Sequence, residues 1–290
     1  MKEKIEYILV NFFIFLHRIL PSRFMQWLLK CISDLLFFTL KSRRELTIDN
    51  IIKAYGKSLD EASILARANF NSLAKTIMEI LDIYNDKRTL DSYIINAEEA
   101  KAKLKEISAG RQILFTTAHF GNWEILAHYF GAAGFEMVVI GREGNNRLID
   151  TNITVPFRKR FGNELANKDN AMSKMVKFLK NGKNVGVMID QKAGSINSIK
   201  TTFFGRECMT TKTIGSLKLK FNPVIVPIFA IRQDDGRFKI IIREFDESVI
   251  KGDKDADILA ITQQINDIFE DVVRMAPQQW FWMHNRWKMD

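Results

Sequence analysis

The chain has 290 residues, 47% of them hydrophobic, which is enough for one large domain with a substantial core and too apolar for overall disorder. Lysine and arginine outnumber aspartate and glutamate by 43 to 34, and the resulting +9 favours anionic partners such as a membrane surface, phosphorylated substrates or an acidic carrier protein. The two cysteines, Cys31 and Cys208, lie far apart in no metal-like spacing, which argues against a disulfide scaffold or a zinc site; no recognition helix, zinc finger or stacking sheet accompanies the charge, so nucleic acid is not an expected partner.

Residues 5–20, "IEYILVNFFIFLHRIL", are almost uniformly apolar but contain Glu6, Asn11, His17 and Arg18, and Pro21 stops them. They fall short of the roughly 20 apolar residues a spanning helix needs. No small-residue cleavage site follows to mark a secretory signal. A second run, "FMQWLLKCISDLLFFTLKSRR", sets Trp27, Phe37 and Phe38 among Arg23, Lys30, Lys41, Arg43 and Arg44. The expectation is an N-terminal membrane-associating helical segment over residues 1–42, an interface anchor or a short, marginal span, with buried core helices as the alternative. Residues 43–290 are then one domain.

Ile64, Leu65, Ala68, Leu73, Ile77, Ile80, Leu81 and Tyr84 recur at near-helical spacing, which predicts a long packed helix over 61–84. The texture then changes. "RQILFTTAH", "FEMVVIGRE", "NVGVMIDQ", "PVIVPIFAIRQ" and "RFKIIIREF" are short apolar or β-branched runs that read mostly as buried strands, the last two forming a hairpin around Gly236. Helical patterns lie between and after them, at Glu124–Phe130, Met172–Leu179, Thr213–Phe221 and Asp255–Met275, the last ended by Pro277. Strand and helix alternate, so the fold class is α/β, with a central, largely parallel sheet flanked by helices.

Three of these strands run straight into polar residues: His119, Arg142 with Glu143, and Asp190 with Gln191. Ligands of open α/β sheets bind outside the carboxyl ends of strands, so these residues are expected to converge there. Within "TTAHFGNWEI", His119 and Glu124 are five residues apart. On one helix that step turns the side chain by about 140°, so the two meet only if the chain bends between them, and Gly121 permits the bend. A neutral imidazole can take a proton from a hydroxyl while a carboxylate holds its other nitrogen. Glu124 is the expected carboxylate; Asp190, at another strand end, is the alternative. Around Gly194-Ser195, "GSINS" lacks the second glycine of a nucleophile elbow, so the substrate itself is expected to supply the nucleophile. Arg142 and Glu143 of "GRE", Arg158 of "TVPFRKRFG" and Gln191 are candidate substrate-binding residues, guanidinium forks being suited to phosphates. For Arg158 a solvated helix face is an equal alternative. His128, four residues after Glu124, is expected to be an ordinary core or surface histidine, and the C-terminal tryptophans to dock on the domain.

These stretches resemble a known family. "AHFGNWE" looks like the HxxxxD/E motif of the lysophospholipid acyltransferase superfamily, and "SRRELTIDNI", "GREGNNRLID", "VGVMIDQKAG", "TTFFGRECMTTKTIGSLKLKFNPVIVPIF" and the terminal "PQQWFWMHNRWK" agree in order and spacing with its late (secondary) acyltransferases of lipid A biosynthesis. The resemblance runs from about Arg43 to Lys288. It implies an acyl carrier protein thioester as donor and a hydroxyl of a lipid A precursor as acceptor, with His119 as base and Glu124 orienting it. It implies no metal and no cofactor beyond that donor, and a place at the cytoplasmic face of a bacterial inner membrane. Backbone N–H groups around Gly121 and Asn122, or Arg142, are the expected oxyanion donors. Acylation of another glycolipid or glycerophospholipid, and non-catalytic binding of anionic lipid, are the rival expectations.

Overall fold

A computed structural model of the chain describes residues 1–141, 144–167, 171–194 and 197–289. Arg142, Glu143 and Ser195 therefore lie outside the described residues. The described strands are β1 (Ile113–Thr117), β2 (Met137–Gly141), β3 (Glu164–Asn167), β4 (Asn184–Met188), β5 (Ser198–Phe203), β6 (Arg206–Thr211), β7 (Val224–Arg232) and β8 (Phe238–Ile242). Six of them form one sheet in the order β3-β2-β4-β1-β7-β8. Neighbours from β3 to β7 run parallel, and β8 returns antiparallel to β7 as the expected hairpin. The sheet is thus mixed but mostly parallel. Every residue of β7 is buried, which explains why "VIVPIFAIR" reads as a continuous apolar run and not as an alternation.

Helices cover both faces. The first five are α1 (Lys2–Ile19), α2 (Ser22–Thr39), α3 (Lys41–Tyr55), α4 (Leu59–Tyr84) and α5 (Ala97–Ser108). They are followed by α6 (Trp123–Ala132), the short α7 (Arg147–Ile149) and α8 (Val155–Lys159), α9 (Ala171–Lys180), α10 (Thr213–Phe221) and α11 (Lys254–Met275). Local chemistry sets their ends. Ser58 and Glu61 form a reciprocal capping box at the start of α4, Asp253 caps α11, and Pro277 follows its last turn. β1 sends Leu114 into a core shared with α2, α3, α4 and α11, and Ile113 and Phe115 into a second core beneath α5 and α6.

Two features depart from the sequence expectation. The edge strand β3 and the separate β5–β6 ribbon were not anticipated: β3 has only four residues, and Ser198–Phe203, "SIKTTF", is mostly polar and carries no apolar run. At the N-terminus, no helix among the described residues is long and apolar enough to cross a membrane. The two apolar runs are instead α1 and α2, broken at Pro21. Met25 and Leu29 pack on Met78 of α4, and buried His17 bonds Asp82 through Nε2 at 3.1 Å, while Tyr93 donates to the same carboxylate at 2.8 Å. The opposite face leaves Ile8, Phe12, Phe15, Trp27, Leu35 and Phe38 exposed.

Candidate active site

Thr117 of β1 and Met188 of β4 are register partners on adjacent parallel strands. Two residues beyond each lie His119 and Asp190, so the register alone sets them opposite one another. The His119 imidazole meets Asp190 through Nδ1, at 2.9 Å from Oδ1, and the His119 backbone N–H donates to Oδ2, also at 2.9 Å. Trp280 Nε1–H donates a third hydrogen bond to that carboxylate, 2.8 Å from Oδ2. Asp190 is fully enclosed. Burial pushes its pKa up, but the charge and two hydrogen bonds of His119, helped by Trp280, outweigh that and hold it below the ordinary carboxylate range. An ionised Asp190 accepts from Nδ1–H, which leaves the Nε2 lone pair of the imidazole as the basic one. On His119 burial acts to lower the pKa, yet the charge and hydrogen bond of Asp190 dominate, Glu124 adding and Arg158 opposing, and the imidazole ends above its ordinary 6.5.

Glu124 does not hold His119, contrary to the expectation from spacing. Its carboxylate is gripped by Arg158, whose Nε lies 3.1 Å from Oε1 and 3.0 Å from Oε2, with Nη2 also on Oε1. The reason is local. Asn122 caps α6 by accepting from the Ile125 N–H, which places Glu124 in the first helical turn beside α8. The bidentate fork of Arg158 is the better match to a carboxylate there. Arg158 thus turns inward to the site, whereas its neighbour Arg160 pairs with Asp86.

The bend between His119 and α6 is built as expected. Gly121 has φ +58°, and a Cβ there would sit 2.0 Å from the Ala230 carbonyl oxygen of β7. Its N–H donates to the Gln279 carbonyl at 3.0 Å, so this group is occupied and is not an available oxyanion donor. Behind the turn is a buried polar network. Arg232 of β7 grips Glu79 of α4 and donates to Ser72 and Thr76, Thr76 donates to the Gly121 carbonyl, and the Asn122 amide donates to Glu79 at 3.0 Å.

Sequence reading left the C-terminal segment as packing; it is part of the site. The Phe281 N–H donates to the His119 carbonyl at 2.9 Å, so residues 279–281 run antiparallel along residues 119–121. Asn50 holds the segment through the carbonyls of Trp282 and His284, each at 2.8 Å, and Asn69 does so through those of Gln278 and Trp280. Three tryptophans with a histidine and an arginine in eleven residues were the available signal. His128, by contrast, is core: it lies between Phe157 and Phe161, and burial draws its pKa down to about 4.

His119, Glu124, Arg158, Gln191 and His284 line a cavity of about 970 Å³, whose apolar wall includes Phe115, Leu126, Phe130, Met137, Met175 and Ile228. That volume lies within the roughly 300–1,000 Å³ of small-molecule sites. A histidine hydrogen-bonded to a buried carboxylate and opening into an apolar cavity is an arrangement suited to acyl transfer onto a substrate hydroxyl. The comparisons agree. The family model for bacterial lipid A biosynthesis acyltransferases matches residues 2–289, and the chain belongs to that family. The lipid A biosynthesis lauroyltransferase of Escherichia coli (strain K12) is 28% identical over 225 residues, covering 76% of this chain and 70% of that protein. The chain is therefore an acyltransferase, as its motifs implied.

Proposed function

We propose that the protein performs a secondary acylation of lipid A biosynthesis, moving a fatty acyl group from an acyl carrier protein thioester to a hydroxyl of a lipid A precursor. The observation that carries this reading is the His119–Asp190 pair at the edge of a large, mostly apolar cavity. His119 Nε2 removes the acceptor hydroxyl proton, and the oxygen attacks the thioester carbonyl. The tetrahedral oxyanion collapses with cleavage of the C–S bond, and the departing sulfur takes the proton back from the imidazolium. Asp190 keeps Nδ1 protonated and stabilises the imidazolium while it lasts. Arg158, with Glu124 fixing its fork, and Gln191 bind substrate at the cavity wall, and Arg142 and Glu143 remain candidates for the same task. Both substrates supply the reacting atoms, so no cofactor enters the scheme.

The site acts at the cytoplasmic face of a bacterial inner membrane, on which the exposed apolar face of α1 and α2 rests, with Arg18, Arg23 and Lys30 toward anionic headgroups. Purified protein incubated with radiolabelled acyl carrier protein thioester and lipid A precursor tests the reading. Labelled product that disappears with His119→Ala is expected. Equal transfer by the variant sinks the base assignment, and turnover only with another glycolipid or a glycerophospholipid shifts the acceptor class.

A further inference from the structure

Arg286 is completely buried, yet no carboxylate among the described residues comes within ion-pair distance of it. Nη1 donates to the carbonyls of Gln191 (3.3 Å) and Met209 (3.0 Å), and Nη2 to Thr210 Oγ1 (2.7 Å) and Asn266 Oδ1 (3.3 Å). The Nε–H meets no acceptor among the described residues, and the guanidinium lies 5.2 Å from the Phe203 ring centroid. Neutral hydrogen bonds and a ring face leave a full positive charge in a low-dielectric interior, an arrangement that costs several kcal/mol unless an opposite charge stands near. Gln191, whose carbonyl accepts from Arg286, is the residue next to the buried carboxylate of Asp190; burial works against the guanidinium charge, and Cys208 and Asp190 act to keep it.

We propose that Arg286 is the buried counter-charge of Asp190 and, through it, a positioning residue that keeps His119 in its neutral, proton-accepting form. The other charged or titratable groups around the pair are Glu124 of α6, Arg158 of α8 and His284 of the C-terminal segment, with Lys192 on the same cavity and Cys208 beside Arg286. Glu124 and Arg158 neutralise one another. Asp190 and Arg286 offset one another at longer range, so a proton taken up by His119 adds a further +1 to the site. That +1 is matched at the moment of reaction by the oxyanion, and at no other stage. Without Arg286 the site would be one charge more negative at rest, and His119 would hold a proton it needs to be free of. The inference rests on the reading of His119 as base for its functional meaning, but not for its measurement.

The test is an NMR titration of the His119 imidazole in the full-length protein and in Arg286→Met and Arg286→Gln, with His119 assigned from the His119→Ala spectrum. Loss of the positive charge should raise the His119 pKa by about one unit, a tenfold change in proton affinity, in either variant that folds. A purely structural role predicts the opposite sign: a loosened Asp190 gives His119 less support, and its pKa falls. No shift, or a downward one, overturns the proposal. The acid limb of kcat/KM in the transfer assay is recorded alongside. An upward NMR shift with a corresponding shift of the limb supports both readings. An upward NMR shift with an unmoved limb leaves the counter-charge standing and removes His119 as the base.

Discussion

Glu124 and Arg158 close a bidentate pair along the cavity wall, five residues after the histidine with which Glu124 shares its motif. The motif acid is thereby committed to an arginine, and the imidazole Nδ1–H donates instead to Asp190. The two carboxylates should then respond differently to mutation. Asp190→Asn is expected to lower kcat by about 10²–10⁴ with KM little changed, since the amide favours the wrong imidazole tautomer. Glu124→Gln releases one arm of Arg158 and is expected to raise KM more than it lowers kcat. Steady-state kinetics on folded variants decide the matter, and near-normal kcat in Asp190→Asn would refute the assignment.

The pH profile follows from the same pair. On the proposed mechanism transfer needs neutral His119, whose pKa lies above 6.5 because Asp190 outweighs burial, so log(kcat/KM) should fall with unit slope below a pH that is itself above 6.5. For stability the sign is opposite: a raised basic pKa means the folded state binds the proton more tightly. The stabilisation is full below the unfolded value and is lost as pH rises through the folded one. An acid limb centred below 6.5 would contradict the pairing.

His128 is the converse case. Burial lowers its pKa to about 4, so protonation favours the unfolded chain. Stability should be full above pH 6.5 and decline progressively as pH falls toward 4, by up to about 3 kcal/mol. His128→Leu should remove most of that acid-side decline. Urea midpoints at pH 7.5 and 5 for both proteins check this, and equal declines would be the failing result.

Gly121→Ala should be among the most damaging small substitutions in the chain. The new methyl group would lie 2.0 Å from the Ala230 carbonyl oxygen, at a φ of +58°. Either β7 or the His119 turn must move, at a cost of more than about 2 kcal/mol. Loss of transfer together with a lowered thermal midpoint is expected, and a wild-type midpoint would show that the turn can be made another way.

Glu79→Ala tests the network behind that turn. It leaves Arg232 buried without its carboxylate and Asn122 without its acceptor, a change worth about 3–5 kcal/mol when a buried pair is broken. Equilibrium denaturation measures it, and a change below about 1 kcal/mol would mean the network is dispensable.

The sheet and most helices were legible in the sequence because their apolar periods are long and end in glycine, asparagine or proline. The hairpin at Gly236 and the ends of α9 and α11 fall where those residues stand. The short strand β3 carries too few residues to show a period. The partner of His119 was harder to read. Nearness along the chain favoured Glu124, whereas the decisive fact is that β4 inserts between β2 and β1, a strand order that no local pattern encodes. Arg286 and Trp280 were hidden for the same reason, since the contacts that tie them to Asp190, Gln191 and Thr210 cross 76 to 95 positions of sequence.

The segment that runs along residues 119–121 and supplies Trp280 to Asp190 also has a consequence in time. A chain made from its N-terminus completes every strand of the sheet before it makes Gln279, Trp280 and Phe281, while Asn50 and Asn69, which receive them, are made long before. Trp280 and Trp282 are buried in the main core, so that core and the His119–Asp190 pair are completed together, by the last residues made. On the proposed mechanism, acyl transfer therefore begins only when synthesis has passed the last turn of the fold.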